Sequence, residues 1–197
     1  MLLVSVDDVK TFLEKSDTDT THDALIGLII EYVSGRIEEF LNRNLSKEYR
    51  TSTFDAKRRK FYLSAYPIEV GSSVTVTLDT DEQTEDEDFF VWYDKGLVEF
   101  AFQPAYIEPK QVSISWIGGY AVTTVSVAST SKNILADVPD GIKFAALLQS
   151  VFVYRTRLHV GDSSVTLPNG GMNTFLGDLL PEVKNILLMY RKPAGEQ

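Results

Sequence analysis

Apolar spacing changes period twice along this chain, and those two changes constrain the fold more than any other feature. Leu25, Leu28, Ile29, Tyr32, Val33, Ile37, Phe40 and Leu41 recur at steps of three and four, the spacing that lines one buried stripe of a helix. From about Glu48 to Ala121 the step becomes two: Val74, Val76 and Leu78 alternate with Ser73, Thr75 and Thr77, and Val112, Ile114 and Trp116 alternate with Gln111, Ser113 and Ser115. Beyond Asp137 the helical step returns. The order implies an α+β chain, a small helical bundle with an antiparallel β-sheet lobe inserted between helices 2 and 3. Residues 1–47 supply the first helices, 48–121 the lobe, and 122–197 a linker, the central helix, a loop and a last helix.

Local signals refine the elements. Ser5 with Asp8 and Thr20 with Asp23 are spaced as capping boxes, opening a short helix to about Glu14 and a long one after it. Asp94-Lys95-Gly96 separates two apolar runs and suits a three-residue hairpin loop with glycine in the left-handed position. Val122 to Asn133 is rich in Ser, Thr and Val without a clear element. The third helix starts near Pro139 and runs to about Arg157, apolar nearly all round, with Lys143, Gln149, Ser150, Thr156 and Arg157 as its polar side. A helix so apolar implies partners beyond one small bundle. In LLPEVKNILLMYR, Val183, Ile186, Leu187 and Tyr190 fall at helical spacing between Pro181 and Pro193.

Between the last two helices lies VGDSSVTLPNGGMNTF, too long and glycine-rich for an ordinary helix connection. A plain flexible spacer would lack its apolar residues Val165, Leu167, Met172 and Phe175. These four are therefore candidate anchors, to be covered either by a neighbouring subunit or an adjoining ring, or by the loop lying back on its own bundle.

Few chemistries are compatible with the residues. The chain has no Cys and only His22 and His159, which excludes disulfides and a multi-histidine metal site. The P-loop, G-x-G-x-x-G and G-x-S-x-G patterns are absent. In the acidic run Asp79 to Asp88, Thr84 stands where a calcium loop needs glycine, so the run reads as a solvated face. His159, Asp162, Ser163 and Ser164 have the residue types of a hydrolase triad but lack a rigid scaffold. Lys57-Arg58-Arg59-Lys60, between Phe54 and Phe61-Tyr62, reads as a hairpin tip whose aromatics face the sheet core. A net charge of −9 opposes stable binding to phosphate backbones. The longest apolar run, Ala24 to Ile30, is too short for a bilayer, and the acidic start of the chain suits a protein made inside the cell. No catalytic residue, cofactor or metal ligand is assigned.

In chain order, the first helices ending in IEEFLNRNL, then LSAYPIEVGSSVTVTLD, DKGLVEF, VSISWIGGYA, VPDGIKFAALLQSVFVYRTR and LLPEVKNILLMYR resemble the head-tail connector, or adaptor, family of long-tailed bacteriophages. The resemblance spans nearly the whole chain. It departs from the commoner pattern in the acidic run, the Ser/Thr stretch and the loop before the last helix. It implies a structural, non-enzymatic virion protein at the head-tail junction, made in the bacterial host cytoplasm and acting without cofactor. Expected partners are its own copies in a ring, usually of twelve, the portal protein above, and a stopper or tail-completion protein below. DNA passes through without specific binding, and no membrane is involved. By the same resemblance, Tyr190, Arg191 and Lys192 are expected to touch the portal. The alternatives are a virion surface module recognising glycan or protein, which needs an exposed aromatic cluster such as Trp92, Tyr93 and Trp116, and a small hydrolase using His159.

Overall fold

The computed structural model describes residues 1–71, 74–103, 111–157 and 178–192 in full, and the backbone of Ser164–Thr166 and Met172–Thr174. The chain divides into two compact units, one of residues 1–41 with 123–191 and one of residues 42–122 with 192–197.

The first unit is mainly helical. Ser5 caps helix α1, Val6–Phe12, through the expected box: its hydroxyl accepts from Asp8 N at 3.0 Å, and the Asp8 carboxylate accepts from Ser5 N at 2.9 Å. Such a cap is worth about 1 kcal/mol. The helix stops short of Glu14, which turns left-handed at φ 56°. Helix α2, Asp23–Leu41, begins without the second expected box, because the Asp23 carboxylate lies 3.1 Å from the buried Lys10 ammonium instead.

The stripe that α2 buries is only partly the one expected: Ile29, Val33, Ile37 and Leu41 are inside as foreseen. Ile26, Ile29, Ile30, Val33, Ile37 and Leu41 are buried, whereas Leu25, Leu28 and Tyr32 stay exposed. Both sets obey helical spacing, so α2 carries two overlapping apolar stripes, and its neighbours decide which one is covered.

Strands β8, Val122–Val127, and β9, Thr130–Leu135, form a hairpin where the Ser/Thr stretch gave no element. Ala128 and Ser129 both take positive φ, 46° and 66°, the requirement of a tight primed turn that neither residue advertises. Residue 2 adds to β9: Leu2 N donates to Asn133 O at 2.8 Å and Leu135 N to Leu2 O at 3.0 Å.

Helix α3, Asp140–Thr156, starts after Pro139 as expected. It buries Ile142, Ala145, Ala146, Val151 and Tyr154, but also Gln149 and Ser150, which sequence placed on its polar side. Gln149 is buried because it works there: its Oε1 accepts from Leu180 N at 2.9 Å, satisfying a free donor at the start of helix α4, Pro181–Leu187. A turn of 3-10 helix, Leu188–Tyr190, follows α4. A side chain at Gly141 would meet the Tyr190 hydroxyl at 2.6 Å, so glycine lets that ring lie on the first turn of α3. The stretch expected to be one long loop before α4 contains a two-stranded antiparallel ladder, β10, Ser164–Thr166, with β11, Met172–Thr174.

The second unit is a pair of antiparallel sheets around one core. Strands β1 (Glu48–Asp55), β7 (Gln111–Gly118), β3 (Thr75–Leu78) and β4 (Asp81–Gln83) form the first, in the order β1-β7-β3-β4. Strands β2 (Lys60–Tyr62), β6 (Leu97–Phe100) and β5 (Phe89–Trp92) form the second, in the order β2-β6-β5. Val76, Leu78, Val112, Ile114 and Trp116 from the first sheet share a core with Phe61, Phe89, Val98 and Phe100 from the second. The period-two reading is borne out at every one of these first-sheet positions. Trp116 is fully buried, its indole N–H donating to Ala65 O at 2.9 Å. Gly96 is left-handed, φ 60°, as the hairpin required, although the turn spans Tyr93 to Gly96.

Candidate functional site

Among the described residues, no three His, Asp or Glu side chains come together as a metal site, and no helix is long and apolar enough to cross a membrane. His22 is packed edge-on to Tyr154, with ring centroids 6.0 Å apart. His159, Asp162 and Ser163 lie outside the described residues. The aromatic cluster that a glycan-binding module would need does not form, because Trp116 is in the core while Trp92 is partly exposed.

In the helical unit the outer stripe of α2 is an exposed apolar surface. Leu28 is 63% and Tyr32 57% exposed, with Leu25 one turn before them. A shallow groove of about 250 Å³ beside the stripe is lined by Ala24, Gly27, Leu28, Val127, Ala128, Thr130 and Lys132. Its far wall is therefore the β8–β9 turn. Glycine at position 27 permits the close approach, since a side chain there would meet Val127 Cγ1 at 2.8 Å. Lys132 donates to Glu31 Oε2 at 2.7 Å and holds that carboxyl below its usual range. This bond tethers β9 to α2 and gives the groove a polar rim. Phe144 on α3 and Leu188 and Met189 after α4 are further exposed apolar side chains of this unit. Sequence reasoning missed the α2 surface by assigning Leu25, Leu28 and Tyr32 to the core. The available signal was the competing stripe beginning at Ile26.

In the β unit the charges segregate to opposite sides. Lys57, Arg58, Arg59 and Lys60, all exposed, lie in the connection from β1 to β2, which leads from an edge of one sheet to an edge of the other. The cluster is thus a corner between sheets, not the tip of a hairpin, and Phe61 beside it faces the core as expected. Asp55 lies 3.6 Å from Lys57, and Glu99 lies 3.6 Å from Arg59 and 3.7 Å from Lys60. Arg59 Nε also donates to Phe100 O at 2.6 Å, which fixes its guanidinium. A pocket of about 370 Å³ opens here, lined by Thr53, Phe54, Asp55, Lys57, Arg58, Lys60 and Phe61.

The acidic run spans the β3–β4 turn, β4 and the opposite sheet-to-sheet connection, from β4 to β5. Asp79, Asp81, Glu82, Glu85, Asp86, Glu87 and Asp88 contribute seven carboxylates, and none is ion-paired among the described residues. Three are fixed: Asp79 Oδ1 accepts from Gln111 N at 2.9 Å, Asp88 Oδ2 accepts from Thr84 N at 2.9 Å, and Glu85 Oε1 accepts from the Tyr93 hydroxyl at 2.8 Å. That bond, with partial burial, pushes the Tyr93 phenol up from 10.0 to about 12.

Of the residues singled out from sequence, Val165 and Met172 fall in the β10–β11 ladder, where Val165 is opposite Asn173 and Met172 opposite Thr166. Leu167 and Phe175, together with the side chains of Val165 and Met172, lie outside the described residues. Tyr190 is half-buried against Gly141. Arg191 is exposed, its guanidinium 5.1 Å from the Phe40 ring centroid. Lys192 is buried and donates to Tyr62 O at 2.9 Å.

No curated protein sequence matches the chain. Among solved structures, it is similar to a chain in the virion of a native gene transfer agent particle, at 13% identity and a TM-score of 0.57, covering 98% of this chain and 93% of that one. It is likewise similar to a chain in the neck of an empty gene transfer agent particle computed with C6 symmetry, at 14% identity and a TM-score of 0.55, with the same coverage. At such identities these likenesses establish a shared fold. The family model for head completion proteins matches residues 2–193, and this protein therefore belongs to the head completion protein family.

Proposed function

We propose that this protein is the subunit of a connector ring at the head-tail junction of a phage-like particle, seated under the portal and closing the head against the tail. Its role is structural, with no chemical step. It is made in the host cytoplasm, and the ring holds identical copies, twelve by the resemblance to adaptors. The portal lies above it and a stopper or tail-completion protein below, and DNA passes through without specific binding. A net charge of −9 suits a conduit, because cationic walls would release counterions from passing phosphates and retain them.

The observation that supports a ring best is the bare apolar stripe of α2. Leu25, Leu28 and Tyr32 are side chains that a self-sufficient bundle would cover, and an outward row of this kind marks an interaction surface. A neighbouring copy is the occupant we propose, by analogy with a neck computed with C6 symmetry that holds a chain of this fold. Copies related by rotation about one axis meet through two different faces, so an apolar stripe needs a distinct complementary patch on the next copy. The segment carrying Val165, Leu167, Met172 and Phe175 is proposed as that patch. Tyr190, Arg191 and Lys192 are proposed as the portal-facing end, with Arg191 as its exposed charge.

Replacing Leu28 and Tyr32 with serine tests this reading. Both side chains are exposed, so the free chain should keep its stability to within about 0.5 kcal/mol in urea unfolding. Joining of tails to heads should fall by at least about tenfold, the loss expected when anchors at the centre of an interface are removed. Undiminished joining by the folded variant would refute the assignment of this stripe.

A further inference from the structure

We infer that the β units of neighbouring copies dock edge to edge, the basic β1–β2 corner of one copy receiving the acidic β4–β5 segment of the next. The inference rests on the ring reading above. Its starting point is topology: β1 and β4 are the two edges of the first sheet, and β2 and β5 the two edges of the second. Each charged segment therefore bridges the two sheets at one side of the unit, and the two sides are opposite. Three strand spacings, about 14 Å, separate β1 from β4. That arrangement presents one sign of charge on each flank, as a head-to-tail contact between identical subunits requires.

Among the described residues, neither flank is neutralised. On the basic side, Asp55 and Glu99 are the acids beside four cations, and Arg58 has no acid within ion-pair distance among the described residues. On the acidic side, Asp81, Glu82, Asp86 and Glu87 are exposed with no cation partner among the described residues. The basic flank is also concave. Its pocket combines the half-buried Phe54 ring with the Lys57, Arg58 and Lys60 stems, and such a surface accepts a protruding carboxylate-bearing turn. The acidic segment reverses direction between the sheets, with Asp86 left-handed at φ 69°. Charge on open sheet edges also serves to keep chains apart. That role predicts like charge on both edges as readily as opposite charge, whereas docking requires opposite charge.

Charge reversal separates these readings. One variant carries Lys57→Glu and Arg58→Glu; the other carries Asp81→Lys, Glu82→Lys and Glu87→Lys. Arg59, Glu85 and Asp88 are left alone because they hold the local backbone or the Tyr93 hydroxyl. Both variants should give the circular dichroism and urea midpoint of the wild type. Each is added to tailless heads that lack this protein, and joined particles are counted by negative-stain microscopy. Each variant alone should join about tenfold fewer tails, since its two flanks now repel. Mixed in equal amounts, they should recover joining, because copies with two acidic flanks alternate with copies having two basic flanks. Raised salt should weaken joining by wild type and by the mixture alike.

The inference is overturned if either folded variant joins normally by itself, or if the mixture joins no better than its components. Loss with the basic-edge variant alone would mean that the corner grips some other anion, DNA included, and would overturn it too. If added wild-type protein is not retained at the neck, the ring reading itself fails. Wild-type retention with normal joining by both variants removes this inference alone.

Discussion

Lys10 is 1% exposed, its ammonium 2.8 Å from Asp17 O and 3.1 Å from the Asp23 carboxylate. A buried ammonium is tolerable only with such partners, and removing one member of a buried pair leaves the other uncompensated. Lys10→Ala should therefore cost about 3 kcal/mol in urea unfolding. A cost below about 1 kcal/mol would show that water reaches Asp23 and that the pair contributes little. Gly119 illustrates a constraint of a different kind. Its φ is 109°, and a side chain there would collide with the Ser46 carbonyl, so the bend after β7 depends on glycine. Sequence marks both positions weakly. A lysine at a helix surface position and a glycine in a Gly-Gly pair are common, and it is the surrounding fold that makes each one irreplaceable.

At the scale of elements, Asp178 links two helices just ahead of α4. It accepts from Lys184 Nζ at 2.6 Å, from Leu179 N at 2.7 Å and from Arg36 on α2 at 3.3 Å. The Lys184 bond is the main cause of its carboxyl falling from 3.8 to about 2, followed by the Leu179 N–H. A carboxyl lowered on folding stabilises the fold above its unfolded value and loses that contribution as pH falls through its folded value. The wild type should thus lose stability between pH 3.8 and about 2 in part through this group. Asp178→Asn should be less stable than wild type at neutral pH, and the gap should close as pH falls below about 2. A constant gap between the two across that range would show that charge is not what links the helices. The same scale explains the error over α2. Periodicity identified the helix, but its two apolar stripes satisfy the same spacing, and the choice between them was made by α3, by α4 and by residues near the amino terminus such as Leu3, whose N–H donates to Ser34 Oγ. Helix α3 repeats the lesson with Gln149, a polar residue drawn inside by a donor supplied from α4.

For the molecule as a whole, the proposed ring makes a prediction about residues 160–175. Their amides should exchange with solvent markedly faster in the free chain than in the assembled particle, because the apolar residues there are proposed to be covered by a neighbour. Equal protection in both states would assign the segment to its own subunit and remove it from the interface.

Sequence alone determined the α+β class, because helical and strand periods reflect backbone geometry that each segment carries with it. It also determined the alternating core of the β unit, where a one-residue slip would turn every Val, Ile and Trp outward. The β8–β9 hairpin escaped it, since Ala128 and Ser129 do not announce positive φ. Only the tertiary structure decided which stripe of α2 is left bare, because burial depends on what arrives from elsewhere in the chain. It likewise decided that the basic and acidic runs lie on opposite flanks, because strand order, unlike strand identity, is set by the pairing of segments remote in sequence.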